Sequence, residues 1–387
     1  MKVLFLAHSF PRSSGDAAGS FLLRLAVALR DQNVTVQVVA PHADDLSISE
    51  EIEGIPVERF RYAPRQWENL AYSGEMAQRV QQSWSARLAM ISFLGADFVG
   101  AIRSRRRFEP DLVHAHWWFP GGLVGTWVSG LSNIPLVTTL HGTDVRIARS
   151  VPAARTVFRH IVKQSAVVTT VSHWLASEVH SLASTRPIVA PMPVSTDLFT
   201  PGGVRESDKL LFIGRLNDQK GTADLLRAVG AMQTHVTLDV IGDGPARTEL
   251  VELTTALGIS GRVRWLGALP QPELVTHYRS AAALVVPSTG EGLGLVAVEA
   301  LMCRTPVVAY DSGGLVDVVQ HDRTGILVPP GDVTALAAAL DALLARPDRG
   351  ASLAEAGRMY VLSAFAPESA AQRYADVYRS ALASSTS

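Results

Sequence analysis

Two doubly wound α/β domains in tandem are the fold that the sequence predicts, and three observations carry the prediction. Short β-branched runs alternate with amphipathic helical stretches along all 387 residues, as the βαβ units of a parallel sheet require. The alternation comes in two series, separated by a segment rich in proline and glycine. With 47% hydrophobic residues, the chain is also longer than a single core usually supports.

In chain order, strands Lys2–Ala7, Val34–Ala40, Asp111–Ala115, Leu136–Leu140 and Ala166–Val171 make the first series, with a helix over Gly19–Arg30. Pro187–Asp208 follows, where Pro187, Pro191, Pro193, Pro201, Gly202 and Gly203 stiffen and interrupt the chain as a linker does. Strands Lys209–Ile213, Val236–Ile241, Val263–Leu266, Ala283–Val286 and Pro306–Ala309 then repeat the pattern around helices Thr222–Met232 and Arg247–Leu257. After Pro367, the helical spacing of Tyr374, Val377, Tyr378 and Leu382 predicts a docking helix that ends in a frayed Ser384–Ser387 tail. The domains are therefore residues 1–195, with helix 366–387 packing back on them, and residues 196–365. Doubly wound sheets take ligands outside the carboxyl ends of their strands, so two such sheets facing each other would form a cleft.

Composition excludes several classes of function. Lys and Arg number 35 against 36 Asp and Glu, a net charge of −1, so nothing draws the chain toward nucleic acid. Cys303 is the single cysteine and no Cys/His group has zinc spacing, which suits a reducing, cytoplasmic compartment. The apolar run Val3–Leu6 is too short for a signal-peptide core or a membrane span. No Asp-x-Asp pair or other metal cluster stands in the sequence, and neither a metal nor a cofactor is expected.

Strand Lys209–Ile213 runs into Gly214-Arg215-Leu216-Asn217-Asp218-Gln219-Lys220-Gly221 and then a helix. A loop of this kind favours anions through its free N–H groups and the helix dipole, and Arg215 and Lys220 add full charges. Fixed cations suit a departing diphosphate; the other reading makes them solvated loop charges. A second turn, Gly242-Asp243-Gly244-Pro245, ends the next strand at the same sheet edge, either to expose backbone to a ligand or only to tighten the connection. The three-glycine dinucleotide pattern after the first strand is absent, which counts against a nicotinamide or flavin enzyme.

The third element is Pro287-Ser288-Thr289-Gly290-Glu291-Gly292-Leu293-Gly294-Leu295, leading into a helix that contains Glu299. A carboxylate accepts two hydrogen bonds from a diol, so Glu291 in the loop and Glu299 one turn into the helix suit sugar and ribose hydroxyls. Gly292 and Gly294 leave the intervening N–H groups open. The alternative is a capping carboxylate and a helix-surface charge.

These elements together with Pro306-Val307-Val308 and Gly313-Gly314 resemble, in order and spacing across residues 207–345, the GT-B glycosyltransferases of family 4. The resemblance implies two Rossmann-like domains facing across a cleft. It implies retaining, metal-independent transfer of a hexose-type sugar from a UDP or GDP donor to a glycan, lipid-linked or small-molecule acceptor. Arg215 and Lys220 would grip the diphosphate, Glu291 the donor sugar and Glu299 the ribose. The amides of Gly294 and Leu295 would face phosphate or sugar, and the segment Arg264–Leu269, including Leu266, would pass the base. The glycines Gly214, Gly242, Gly244 and Gly292 would line the donor. An epimerase using the same diphosphate grip, and a sugar-nucleotide-binding subunit without turnover, are the competing readings.

The first half matches the family more loosely. Thr139-Leu140-His141-Gly142-Thr143-Asp144 resembles the motif whose histidine lies beside the reacting sugar, which would make His141 catalytic and place Asp144 on the acceptor side; the alternative for His141 is a strand-end hydrogen-bond network. In Asp111-Leu112-Val113-His114-Ala115-His116, leading to Gly121-Gly122, alternation points both histidines the same way, His116 toward an acceptor or both toward the core. Where family members pair two glycines after the first strand, this chain separates Gly15 and Gly19 within Pro11–Gly19, with Gly15 as the donor-side candidate. Where they carry Asn-Gly-Val-Asp near the junction, it has Pro193-Val194-Ser195-Thr196-Asp197. Finally, Trp84, Leu88, Ile91, Gly95, Phe98 and Ile102 recur at helical spacing and end in Arg103, Arg105, Arg106 and Arg107. Residues 84–107 suit either peripheral contact with the cytoplasmic face of an anionic membrane or a helix on the first sheet with a solvated basic end.

Overall fold

The structure is a computed structural model that describes every residue except 17, 44–45, 73–75 and 385–387. Ala17 of the first predicted loop and all but Ser384 of the predicted tail thus lie outside the described residues. The chain divides into two compact units, Met1–Pro193 with Pro367–Ser387, and Val194–Ala366.

The first unit holds an eight-stranded sheet: β1 Lys2–Leu6, β2 Thr35–Pro41, β3 Ser49–Ile52, β4 Ile55–Phe60, β5 Leu112–His116, β6 Leu136–Leu140, β7 Val167–Thr170 and β8 Ile188–Val189. Their spatial order is β3-β4-β2-β1-β5-β6-β7-β8, parallel except for the β3–β4 pair. Parallel strands covered on both faces need continuous apolar runs, and Val3, Leu4, Phe5 and Leu6 of β1 are all fully buried. The helix Ser20–Leu29 covers one face by burying Leu22, Leu25, Ala26 and Leu29, one stripe of a 3.6-residue period.

The second unit holds a six-stranded parallel sheet: β9 Lys209–Ile213, β10 Thr237–Ile241, β11 Val263–Gly267, β12 Ala283–Val286, β13 Val307–Tyr310 and β14 Ile326–Val328, in the order β11-β10-β9-β12-β13-β14. Its core joins Leu210, Phe212, Leu225, Val229, Leu238, Val240 and Leu340 across sheet and helices.

Strands β3, β4, β8 and β14 are additions to the sequence prediction. The first two form a hairpin whose two-residue turn has Glu53 at φ 50° and Gly54 at φ 77°, the left-handed pair that a tight hairpin needs. The predicted linker is also corrected: Ile188–Val189 pairs with β7, and Phe199 is fully buried against Tyr278 of the second unit. Prolines interrupted regular structure there without freeing the chain from the cores.

The helix Pro367–Ser384 docks in the first unit. Tyr374 and Tyr378 are fully buried; the Tyr374 hydroxyl donates to the Ala190 carbonyl at 2.9 Å, and the Tyr378 hydroxyl pairs with His114 Nδ1 at 2.8 Å.

Candidate active site

In the second unit β9 and β12 are neighbours, yet the chain leaves β9 toward β10 on one side and β12 toward β13 on the other. The loops after β9 and β12 therefore part at a topological switch point, the place where open α/β sheets take ligands. The predicted diphosphate loop and the Glu291 loop are these two loops.

Glycines let the loops close up. A Cβ on Gly221, at φ +65°, would stand 2.0 Å from the Pro287 carbonyl oxygen, and one on Gly242, at φ +131°, 1.9 Å from that of Gly214. The Thr289 amide donates to the Gln219 carbonyl at 2.9 Å, tying the two loops directly. The turn after β10 is fastened to the β9 loop by Leu216 N–H to Asp243 O at 3.0 Å and Ala246 N–H to Leu216 O at 3.1 Å; a Cβ on Gly244 would meet Leu216 O at 2.3 Å. From the other side Gly314 donates to Glu291 O at 2.7 Å, and its own Cβ would fall 2.2 Å from Gly292 O. This packing of backbone on backbone holds the glycine-rich edges together.

Within that frame Lys220 Nζ forms an ion pair with Glu291 Oε1, both side chains being largely buried. Asn217 caps the short turn that carries Lys220 by accepting from its amide at 3.2 Å. Arg215, half-buried, follows the end of β9 in the same loop that carries Lys220. Gly294, at φ +91°, precedes the helix Leu295–Met302, whose first amides have no acceptor within the helix and no side-chain cap on Gly294. Leu266 lies in β11, at the sheet edge beyond β10.

Glu299 differs from a helix-surface charge. It is 6% exposed, and its oxygens accept from the Tyr278 hydroxyl at 2.7 Å and the Gln271 side-chain amide at 3.3 Å. Burial and the neighbouring carboxylate raise the Tyr278 phenol well above its ordinary range, keeping it a donor. Sequence reading missed Tyr278 and Gln271, whose nearness to Glu299 is purely tertiary.

The first unit has its own switch point between β1 and β5. His8 follows β1, Trp117 follows β5 and His141 follows β6. The Trp117 ring lies 4.2 Å from the ring of His8 and 4.4 Å from that of His141, while His141 Nε2 stands 3.4 Å from His116 Nδ1. Trp117 adopts φ 63°, costly for a bulky residue and characteristic of functional positions. Burial lowers His8 to about 4 and His141 to about 3, with charge repulsion between the two adding to the His141 shift, and it lowers His116 well below the ordinary histidine range. The rings are therefore neutral at pH 7. Among the described residues, His8 Nδ1 and His116 Nε2 are buried without a hydrogen-bond partner, polar capacity held against its desolvation cost. His8 and Trp117 were missed in the sequence; an aromatic immediately after a switch-point strand was the signal.

Several residues of the sequence reading take up positions that it did not foresee. Asp144, expected on the acceptor side, is buried and accepts from the amides of Gly142 at 2.9 Å and of His141 and Trp118 at 3.2 Å, so it positions the loop that carries His141. Burial outweighs those donors and raises its carboxyl. His116, also expected on the acceptor side, is fully buried behind His141, and His114 is buried with Tyr378 and Thr139 on its two nitrogens at 2.8 and 2.7 Å, which makes it structural. Gly15, at φ +86°, lies in an exposed turn closed by the Arg12–Asp16 ion pair at 2.6 Å.

The sequence matches the profile described as Glycosyltransferase Family 4 over residues 18–198 and that described as Glycosyl transferases group 1 over residues 197–360. It is 31% identical to a D-inositol 3-phosphate glycosyltransferase of Thermobispora bispora, over 95% of this chain and 91% of that one. Its fold is similar to that of a sucrose-phosphate synthase from Thermosynechococcus elongatus (TM-score 0.82, 22% identity, 99% of both chains). It is also similar to that of Anabaena HepE solved with UDP and glucose (TM-score 0.75, 20% identity, 98% of this chain and 100% of that one). Fold and sequence together define a glycosyltransferase of the GT-B type. Within that class, the chain belongs to glycosyltransferase family 4.

Proposed function

We propose that the protein is a retaining, metal-independent transferase that moves a hexose-type sugar from a UDP or GDP donor to a hydroxyl of a glycan, lipid-linked or small-molecule acceptor in the cytoplasm. The observation that carries the reading is the Lys220–Glu291 pair at the β9/β12 switch point, where Arg215 shares the Lys220 loop. A diphosphate entering there exchanges partners with the pair: phosphate oxygens take the ammonium, and the released carboxylate accepts sugar hydroxyls. As the glycosidic bond breaks, negative charge grows on the leaving diphosphate. Lys220, Arg215 and the amides of Gly294 and Leu295 are the preorganised positive groups that stabilise it. In this reading the charge of the departing diphosphate falls to these groups and not to a divalent ion.

On the acceptor side, the neutral imidazole of His141, backed by the buried His116, hydrogen-bonds a hydroxyl, and the Trp117 ring offers a face for a sugar ring. Buried Cys303, the sole cysteine, fits a reducing compartment.

The test is release of nucleoside diphosphate from UDP- and GDP-hexoses, with and without chelator. Lys220→Ala or Arg215→Ala lowers kcat by about 10²–10³, the usual effect of removing a preorganised electrostatic donor, and chelator leaves the rate unchanged. Wild-type rates in both variants would overturn the assignment, and an inverted anomeric product would overturn retention alone.

A further inference from the structure

The helix Trp84–Phe108 breaks the rule that a helix face in water is polar. Trp84 is 74% exposed, Leu88 60%, Ile91 69% and Val99 45%, and the adjoining helix Leu123–Ser132 adds Trp127 and Leu131 at 41% and 71%. The two helices are in contact, the Phe98 and Trp127 rings lying 5.9 Å apart. At 100° per residue, Trp84, Leu88, Ile91 and Val99 fall in one sector about 80° wide and about 22 Å long. Arg106 continues the same sector and Arg103 borders it, both exposed. Between Leu88 and Ile102 the only charged residue is Asp97, on the opposite, buried face.

That opposite face decides how the helix could meet a bilayer. By length and composition the segment is apolar enough to cross a membrane, but Ala86, Met90, Phe93 and Ala101 belong to the core of the first unit. The helix cannot span without leaving its own sheet, so only the exposed sector is available to lipid. We propose that this sector is a peripheral membrane-binding surface, which lies flat on an anionic phospholipid bilayer with its apolar stripe at the acyl boundary and its arginines at the headgroups. A second copy of the chain fits less well: it brings the same arginines and no acidic residue on this sector to meet them, whereas an anionic bilayer complements both halves of the pattern.

The test is co-sedimentation of the full chain with phosphatidylglycerol-containing and pure phosphatidylcholine vesicles at low and high salt, alongside size-exclusion chromatography without lipid. The wild type partitions to the anionic vesicles and is released by salt. Neutralising Arg103 and Arg106 to Gln lowers partition roughly fivefold per residue. Changing Trp84, Leu88 and Ile91 to Ser lowers it at least about tenfold, with the melting temperature kept because these side chains are exposed. The proposal is overturned if the wild type stays in the supernatant, if binding survives the triple substitution, or if the wild type is a dimer that the triple substitution splits and vesicles do not bind. None of these readouts depends on the sugar-transfer reaction.

Discussion

Lys220 and Glu291 lie 71 positions apart and carry opposite charge, and the sequence assigned them to different parts of a donor. In the fold they hold each other, so each keeps a partner while partly buried and neither bears an uncompensated charge. Side chains of the first unit solve a different problem. His8, His116 and His141 cluster around Trp117 with their pKa values depressed by burial. The consequence for stability has a definite sign. An unfolded histidine takes up a proton near its ordinary pKa of about 6.5, while the folded rings of His8 and His141 wait until about 4 and about 3. Between those limits the unfolded state binds more protons, so stability is full above pH 6.5 and falls as the pH drops toward 3. Urea midpoints at pH 7, 5.5 and 4.5 check this: the midpoint declines with acidity, and His141→Phe makes the decline shallower. A steeper decline in that variant would contradict neutral, buried imidazoles.

At the scale of elements, the donor edge is built by glycines at which one backbone touches another. Gly242 is the sharpest case, since an added methyl would sit 1.9 Å from the Gly214 carbonyl oxygen at φ +131°, a region that side chains rarely adopt. Gly242→Ala forces the ends of β9 and β10 apart. It lowers stability by about 1–3 kcal/mol through strain and displaces Arg215, which calorimetry and the rate of diphosphate release read separately. Gly258→Ala is the control: its φ of +69° is also positive, in the left-handed region, but an added methyl meets nothing within 4 Å, so it costs some stability without touching the site. The glycine motifs were legible in the sequence because strand-to-helix turns demand them at fixed offsets. Their partners were not, since which turn packs on which depends on strand order. The hairpin β3–β4 was missed for a related reason: Ser49-Glu50-Glu51-Ile52 is an edge strand that carries charge and shows no apolar run.

At the scale of the molecule, the chain leaves the first unit near Pro193, builds the second, and returns with Pro367–Ser384 to the first. That helix buries Tyr374, Val377 and Tyr378 and closes the hydrogen bonds of His114 and Ala190. A chain truncated at Ala366 therefore exposes buried apolar area and leaves His114 half-satisfied in the first unit, while the second unit keeps its core. Two calorimetric transitions are expected, with only that of the first unit falling in the truncated chain; an unchanged first-unit transition would refute the docking role. By itself the sequence determined two doubly wound sheets, the order of the donor motifs and the family, because hydrophobic period and turn residues are local properties written along the chain. Only tertiary structure decided that Lys220 meets Glu291, that Tyr278 holds Glu299, that Asp144 stands behind His141, and which side of helix Trp84–Phe108 faces solvent. Those depend on which strands become neighbours, a choice made by the burial of the whole core and stored in no single segment.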